Sequence, residues 1–344
     1  MKLSRRDFVR TGMAGGALGA LGELPLAQDS IASEDRRSIF IDTDTASDDA
    51  VALMIAFAEP GIEIAGIGTV AGNVPVDVAT RNAIYIRDLC GAKAPVHRGA
   101  ASPLIRPLQT AQYIHGQDGM GDIGLPIRDK APNSSDAVGA LIAAAKKYSG
   151  TLELVTLGPL TNIAVAVRRA PEIVPLIKRC VVMGGVSDYR GNVTPVSEFN
   201  FWVDPEAAEI TLLSGLTIEM VGWDISRKYA VFDDAEAAEI RAIGTERAQV
   251  AIDCQKKLRE FSLKETGLRG FDLPDPIAMA VALRPEIATR RKTLAATVIT
   301  DDGPTRGMAM FDELSRKPQG SRISVVEEAS REAFVKMLHD ALRA

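Results

Sequence analysis

Four aspartates within eight residues have the type and spacing to bind a metal ion: Asp42, Asp44, Asp48 and Asp49. They follow a short apolar run, 38–41, and precede a segment whose apolar residues have helical spacing. Like charges this close repel one another, and a bound cation relieves the repulsion. Hard cations such as calcium prefer several oxygen ligands, often carboxylates and backbone carbonyls. The pattern therefore predicts a divalent-cation site where a strand ends and a helix begins, with a capped helix carrying extra surface acids as the simpler alternative.

Histidine and cysteine are too scarce to form the usual alternative metal sites. The chain has three of each, and the cysteines have neither the spacing of a zinc site nor the number expected of a disulfide framework. A metal bound by this protein is therefore expected to have oxygen ligands.

Strand-like and helical patterns alternate along the chain. Strands are predicted at 38–41, 62–70, 94–97, 152–157, 179–183, 218–221, 296–299 and 323–326. Helices are predicted at 49–58, 76–89, 135–148, 161–169 and 329–342, and from Pro205 onward, with long loops at 99–132 and 184–204. This alternation predicts an α/β fold of Rossmann-like type, a single domain with an open, mostly parallel sheet and helices on both faces. Such sheets bind ligands at the carboxyl ends of their strands, where most of the polar motifs fall.

The composition is that of one large soluble domain. The chain has 344 residues, of which 46% are hydrophobic, and we expect a single catalytic domain over 34–344. The net charge of -5 provides no basic surface, which argues against nucleic acid as the partner.

The N-terminus resembles a twin-arginine export signal. Ser4-Arg5-Arg6 is followed by Phe8 and then by a Gly/Ala-rich stretch that is too short to span a membrane stably. We therefore predict a signal segment at 1–30, recognition by the twin-arginine export machinery, a periplasmic or otherwise exported location, and no stable membrane span.

The acidic segment also resembles the Asp-x-Asp-x-x-x-Asp-Asp signature of the inosine–uridine-preferring nucleoside hydrolase family. The usual form has Pro-Gly where this chain has Thr45-Ala46, a change that keeps every carboxylate. The resemblance extends over most of the predicted domain, through the stretches 66–73, 115–121, 154–164, 183–185, 191–200, 223–226 and 273–280.

The resemblance implies hydrolysis of the N-glycosidic bond of ribonucleosides by a calcium-bound water, giving ribose and a free nucleobase. It implies that Ca2+ binds Asp44, Asp49, Asp275 and the backbone carbonyl of Leu157. Asp44 is also the candidate general base, and Asp48 is expected to bind a ribose hydroxyl. Homo-oligomers are typical of the family.

Further residues are expected to hold the substrate. The resemblance implies that the sugar contacts Asn73, Met183, Asn192, Glu198 and Asn200, and short amides and a carboxylate suit a polyol that both donates and accepts hydrogen bonds. His115 is a candidate for assisting departure of the base, and Tyr229 or Phe232 for covering it.

One departure from the family concerns the leaving group. Many members have a histidine immediately before the last metal-binding aspartate, but this chain has Pro274, which has no side-chain proton to give. A catalytically impaired member that binds nucleosides or sugars is therefore one alternative. Another is a haloacid-dehalogenase-like phosphatase, which would use Asp42 as nucleophile together with magnesium.

Overall fold

Strands and helices alternate along most of the chain. The computed structural model describes residues 36–313 and 320–344, so the predicted export signal lies outside the described residues. The strands are β1 (Arg37–Thr43), β2 (Ile62–Thr69), β3 (Val96–Arg98), β4 (Leu152–Thr156), β5 (Ile177–Met183), β6 (Ile218–Val221), β7 (Val231–Asp233), β8 (Gly270–Asp272), β9 (Ala288–Val298), β10 (Ala309–Asp312) and β11 (Ser321–Ala329). The helices are α1 (Ser47–Ala58), α2 (Val76–Leu89), α3 (Gln112–His115), α4 (Ala137–Lys147), α5 (Thr161–Arg169), α6 (Phe199–Val203), α7 (Pro205–Leu212), α8 (Trp223–Tyr229), α9 (Asp234–Arg241), α10 (Glu246–Asp253), α11 (Lys256–Thr266), α12 (Pro274–Leu283) and α13 (Arg331–Arg343).

Nine of the strands form one sheet, in the order β10-β9-β11-β6-β5-β4-β1-β2-β3. Every neighbouring pair from β11 to β3 is parallel, whereas β9 and β10 pair antiparallel at the other edge. A separate antiparallel ribbon joins β7 to β8. Residues Arg36–Ala344 form one compact unit. The predicted single-domain, open and mostly parallel sheet is confirmed.

Both faces of the sheet are covered, which explains why its strands are apolar without alternation. Ile39 and Ile41 on β1 pack in a core with α1, α12 and α13, whereas Phe40 packs in a second core with α4, α5 and α7. Side chains at successive positions of a strand point to opposite faces, so each core belongs to one face. No helix in the described ranges is long and apolar enough to cross a membrane.

The order of the strands determines where a ligand can enter. The chain runs from β1 outward to β2 and β3, then returns to β4 on the other side of β1. Connections that leave two adjacent strands in opposite directions open a crevice at their carboxyl ends. Asp42 lies at this end of β1, and its carbonyl accepts a hydrogen bond of 2.8 Å from the N–H of Leu157, which follows β4. The acidic segment therefore begins at the switch point of the sheet.

Several regions differ from the sequence-based expectation, among them the segment 231–272, whose two strands and three helices were not predicted. The predicted loops 99–132 and 184–204 contain the short helices α3 and α6. The segment from Trp223 to Ser226, for which the resemblance noted above implies a strand, begins helix α8 instead. The N–H of Trp223 donates to the carbonyl of Gly185, so the chain has already left the ladder between β5 and β6 at this point.

At the opposite end of the sheet, a buried ion-pair network joins β1, β4 and β5. Glu153 on β4 accepts hydrogen bonds from Arg37 on β1 and Arg179 on β5, each at 2.7 Å, and its side chain is 4% exposed. Burial opposes ionisation of Glu153, but the two guanidinium groups outweigh it and lower its pKa from 4.5 to about 2.

We expect Glu153→Gln to reduce the free energy of unfolding by about 2 kcal/mol near neutral pH, less than a fully buried pair would lose because Arg37 reaches solvent. Since the pKa is lowered in the fold, the wild-type carboxylate stabilises fully above pH 4.5, and this contribution is lost as the pH falls towards 2. Denaturant unfolding at a series of pH values measures the difference. Glu172→Gln, which breaks an exposed pair with Lys146, is the control. A pH-independent difference would contradict the assignment.

Candidate active site

Buried acidic side chains from two helices and the turn after β1 meet at the carboxyl end of the sheet. Asp48 and Asp49 lie in the first turn of α1, Asp275 lies in the first turn of α12, and Asp44 lies in the turn between β1 and α1. None of the four is more than 5% exposed. Oxygen atoms of Asp48, Asp49 and Asp275 all lie within 4.8 Å of one another. We call these four residues the acidic cluster.

The backbone around the acidic cluster fixes its carboxylates. Asp49 accepts hydrogen bonds from the Thr43 hydroxyl and from the N–H of Ala46. Asp44 accepts a bond of 2.6 Å from the N–H of Asn73 at its Oδ2 atom. Gly72 and Gly158 pack against Asp44 so closely that an added Cβ atom would lie 2.2 and 2.7 Å from its carboxylate oxygens. Only glycine fits at these two positions.

The acidic cluster has the electrostatics of an incomplete ion site. Burial and, next, repulsion from Asp49 raise the pKa values of Asp44 and Asp275 well above their ordinary range. Burial likewise raises the pKa values of Asp48 and Asp49 to about 6. Within residues 36–313 and 320–344, no lysine or arginine forms an ion pair with the acidic cluster. Its charges therefore lack a cationic partner from the described chain.

Two buried oxygens of the acidic cluster are available as ligands for an ion. Among the described residues, Oδ1 of Asp44 and Oδ1 of Asp48 are inaccessible to solvent and have no hydrogen-bond partner. An unpaired buried charge is costly, and a hard divalent cation satisfies several carboxylate oxygens at once. The donor set therefore fits such an ion.

A cavity of about 460 Å³ opens above the acidic cluster. Asp44 and Asp49 are not among the residues that line it and lie deeper in the protein. The predicted catalytic, sugar-binding and metal-binding residues other than these two all line this one cavity: Asp48, Asn73, His115, Leu157, Met183, Asn192, Glu198, Asn200 and Asp275. The structure therefore brings together residues that lie as much as 231 positions apart in the sequence, from Asp44 to Asp275.

One wall of the cavity is held by a capped helix. Glu198 caps α6, since it accepts hydrogen bonds from the N–H groups of Asn200 and Phe201 at 2.9 and 3.4 Å, and it also accepts one from the N–H of Gly185 at 2.8 Å. Burial raises its pKa to about 7. Asn200 in turn donates from Nδ2 to the carbonyl of Leu157 at 2.8 Å and contacts the carbonyl and sulfur of Met183 at 3.3 Å. This wall therefore links the ends of β4 and β5.

His115 reaches the cavity from the end of α3, which lies within the region predicted to be a loop. Its Nδ1 atom lies 2.9 Å from the hydroxyl of Ser47 and 3.9 Å from Asp48. The ring is 6% exposed, and burial lowers its pKa to about 4. The imidazole is therefore neutral near neutral pH, and its role in base departure stays a prediction.

The aromatic residues at the cavity are not those suggested by the sequence. Phe232 is 1% exposed and packs against Phe271 and Phe334 in the core, so the expectation that it covers the base was wrong. Tyr113 and Phe261 line the cavity instead, with ring centroids 5.8 Å apart. Their pairing depends on how α11 packs against α3, for which neither local sequence carries a signal.

A group of polar residues at the cavity was also missed. Asp272, at the end of β8, accepts hydrogen bonds at Oδ2 from Trp223 Nε1 at 2.9 Å and from the hydroxyl of Ser226 at 2.6 Å. Arg227 stacks on Trp223 at 4.6 Å and pairs with Asp188. In the sequence, only the position of Asp272, three residues before Asp275, could have indicated that this group lies at the site.

Comparison with known proteins agrees with this geometry. Residues 39–336 match the family model described as inosine-uridine preferring nucleoside hydrolase. This chain belongs to that family. A pyrimidine-specific ribonucleoside hydrolase, RihA, of Salmonella schwarzengrund is 35% identical, over 89% of this chain and 98% of its own length.

Two solved nucleoside hydrolases have the same fold. A plant nucleoside hydrolase superposes with a TM-score of 0.85 at 27% identity, over 90% of this chain and 99% of that chain. A purine-preferring ribonucleoside hydrolase from Gardnerella vaginalis superposes with a TM-score of 0.81 at 30% identity, over 89% and 98%. The α/β architecture of the nucleoside hydrolase family is therefore that of this chain.

If the acidic cluster binds calcium, calcium should stabilise the folded protein. Calcium at about 100 times its dissociation constant should raise the free energy of unfolding by about 2.7 kcal/mol, because only the folded chain assembles the ligands. Asp275→Asn should lose most of this increase. The measurement is thermal unfolding with and without calcium after chelator treatment. Asp253→Asn, which lies in an exposed pair with Arg241, is the control and should respond as the wild type does. Equal calcium stabilisation of the Asp275 variant would argue against the site.

Proposed function

We propose that this protein hydrolyses the N-glycosidic bond of ribonucleosides, releasing ribose and a nucleobase, with the help of a calcium ion at the acidic cluster. One observation carries the proposal: buried carboxylates without a cationic partner lie next to a cavity whose walls present the amides of Asn73, Asn192 and Asn200. That combination suits a polyol bound next to a hard cation. Membership of the nucleoside hydrolase family supports the reaction class.

The residues present fit the ion. Asp44, Asp49, Asp275 and the carbonyl of Leu157 would hold it, and Asp48 would bind a ribose hydroxyl. A calcium ion bound there supplies Lewis-acid polarisation of a water molecule and of sugar hydroxyls.

The protein's own groups then position the reactants. The amides of Asn73, Asn192 and Asn200 bind and orient the ribose, which brings C1′ and the attacking water together. Oδ1 of Asp44, which has no partner among the described residues, is the candidate to accept a proton from that water. Glu198 holds the wall by capping α6 and is available to accept from a sugar hydroxyl with its remaining lone pairs.

The phosphatase alternative has little structural support. Asp42 points to the same face of the sheet as Phe40, where it accepts a hydrogen bond of 2.8 Å from Asn162 of α5. A nucleophile must reach its substrate, and this carboxylate faces neighbouring chain instead. We therefore expect no hydrolysis of a generic aryl phosphate.

Asp44→Asn should lower kcat for ribose release by at least about 100-fold, because the amide cannot accept the proton of the attacking water. Reducing-sugar assays on purified protein measure the change. Asp129→Asn removes an acid whose side chain is 86% exposed and should leave kcat unchanged. Full turnover by the Asp44 variant would refute its assignment as base.

A panel of purine and pyrimidine ribonucleosides, assayed for free ribose with and without a calcium chelator, tests the reaction as a whole. We expect ribose from at least one nucleoside and loss of turnover with chelator. Binding without ribose release would instead support an impaired family member. Export by the twin-arginine route and assembly into a homo-oligomer stay predictions.

A further inference from the structure

Departure of a nucleobase requires a way to neutralise the electron pair that the base keeps when the C1′–N bond breaks. Pro274 has no proton to give, and burial lowers the pKa of His115 to about 4, so its imidazole is neutral near neutral pH and a weak proton donor. The cavity nevertheless contains another group that can carry a proton. Asp272 lines it together with Asp275, three residues further along the chain.

Both hydrogen bonds that the described residues make to Asp272 end on one carboxylate oxygen, Oδ2, and leave Oδ1 to carry a proton. The Ser226 hydroxyl lies 2.6 Å from Oδ2 of Asp272 and 3.0 Å from the carbonyl of Trp223. Because the Ser226 hydroxyl and, at 2.9 Å, Trp223 Nε1 both donate to Oδ2, a proton on Oδ1 of Asp272 leaves both hydrogen bonds in place. Burial, which raises the pKa of Asp272, favours the same state.

The surroundings also suit the carboxylate that remains after the proton has left. Trp223 Nε1 and the Ser226 hydroxyl both donate to Oδ2 and so stabilise the negative charge. The guanidinium of Arg227 is held at the rim of the cavity by Asp188 at 2.7 Å and by stacking on Trp223, and its positive charge favours the ionised form of Asp272. Asp272 is therefore placed where both of its protonation states have partners.

We infer that Asp272 is the general acid that protonates the departing nucleobase, an inference that rests on the proposed function. The O–H bond of Asp272 breaks as a bond forms from that hydrogen to a ring nitrogen or carbonyl oxygen of the base. The electron pair of the C1′–N bond stays with the base. Water adds to C1′ and loses a proton, and the Asp272 carboxylate regains a proton through solvent, so the net change is nucleoside plus water to ribose plus base.

Two substrates that differ only in the need of the leaving group for a proton test this role. p-Nitrophenyl β-D-ribofuranoside releases a stable phenolate, whereas a natural nucleoside requires protonation of its base. Asp272→Asn should lower kcat/KM for the nucleoside by about 100-fold or more and change that for the aryl riboside by no more than about threefold. Asp234→Asn, in an exposed pair with Arg259, is the matched control and should leave both values unchanged.

The outcomes separate the two proposals. Equal losses on both substrates would mean that Asp272 only shapes the cavity, and no loss on the nucleoside would mean that another group supplies the proton; either result overturns the inference and leaves the proposed function intact. Absence of ribose release by the wild type from both substrates would overturn the proposed function as well.

A second measurement covers the case in which Asp272→Asn fails to fold. For the wild type, kcat/KM on aryl ribosides of rising leaving-group pKa should stay nearly constant, because the acid compensates for a poorer leaving group. Asp272→Glu, which keeps the acid, should retain this flat dependence. A steep decline in the wild type would overturn the inference.

Discussion

Repulsion among buried carboxylates is the constraint on which the site depends. Asp44, Asp48, Asp49 and Asp275 are removed from water, and no lysine or arginine of residues 36–313 and 320–344 pairs with them. Burying unpaired charge costs several kcal/mol per ion, so the fold tolerates the acidic cluster only with protons or a cation present. A divalent ion bound there would therefore stabilise the folded state.

The sheet makes this concentration of charge possible. The connections that follow β1 and β4 run towards opposite edges of the sheet, which opens a crevice at the carboxyl ends of these strands. Two helices, α1 and α12, begin at this crevice. Helix N-termini favour negative charge, which partly offsets the repulsion. Close packing of Gly72 and Gly158 on Asp44 keeps the carboxylate from swinging away. The same strand ends supply the wall that carries Asn200, so the candidate ion site and the candidate sugar site share one scaffold.

Parts of the site that depend on local sequence were predictable, and parts that depend on packing were not. The acidic segment after β1 and Asp275 in the first turn of α12 have fixed spacing to strand and helix signals, and the structure places them together. Tyr113, Phe261 and Asp272 reach the cavity only because α3, α11 and the β7–β8 ribbon pack around it. Those long-range contacts leave no periodic pattern, which is also why Phe232 was wrongly expected at the substrate.

Calcium binding by the acidic cluster can be measured directly. If the acidic cluster binds one cation, protein purified in calcium and freed of excess metal should retain about one calcium per chain by elemental analysis, in keeping with a single oxygen-lined site. Asp44→Asn and Asp275→Asn should retain little calcium under the same treatment while folding as the wild type does. Wild-type protein without bound calcium, or variants that bind as much as the wild type, would contradict the central claim.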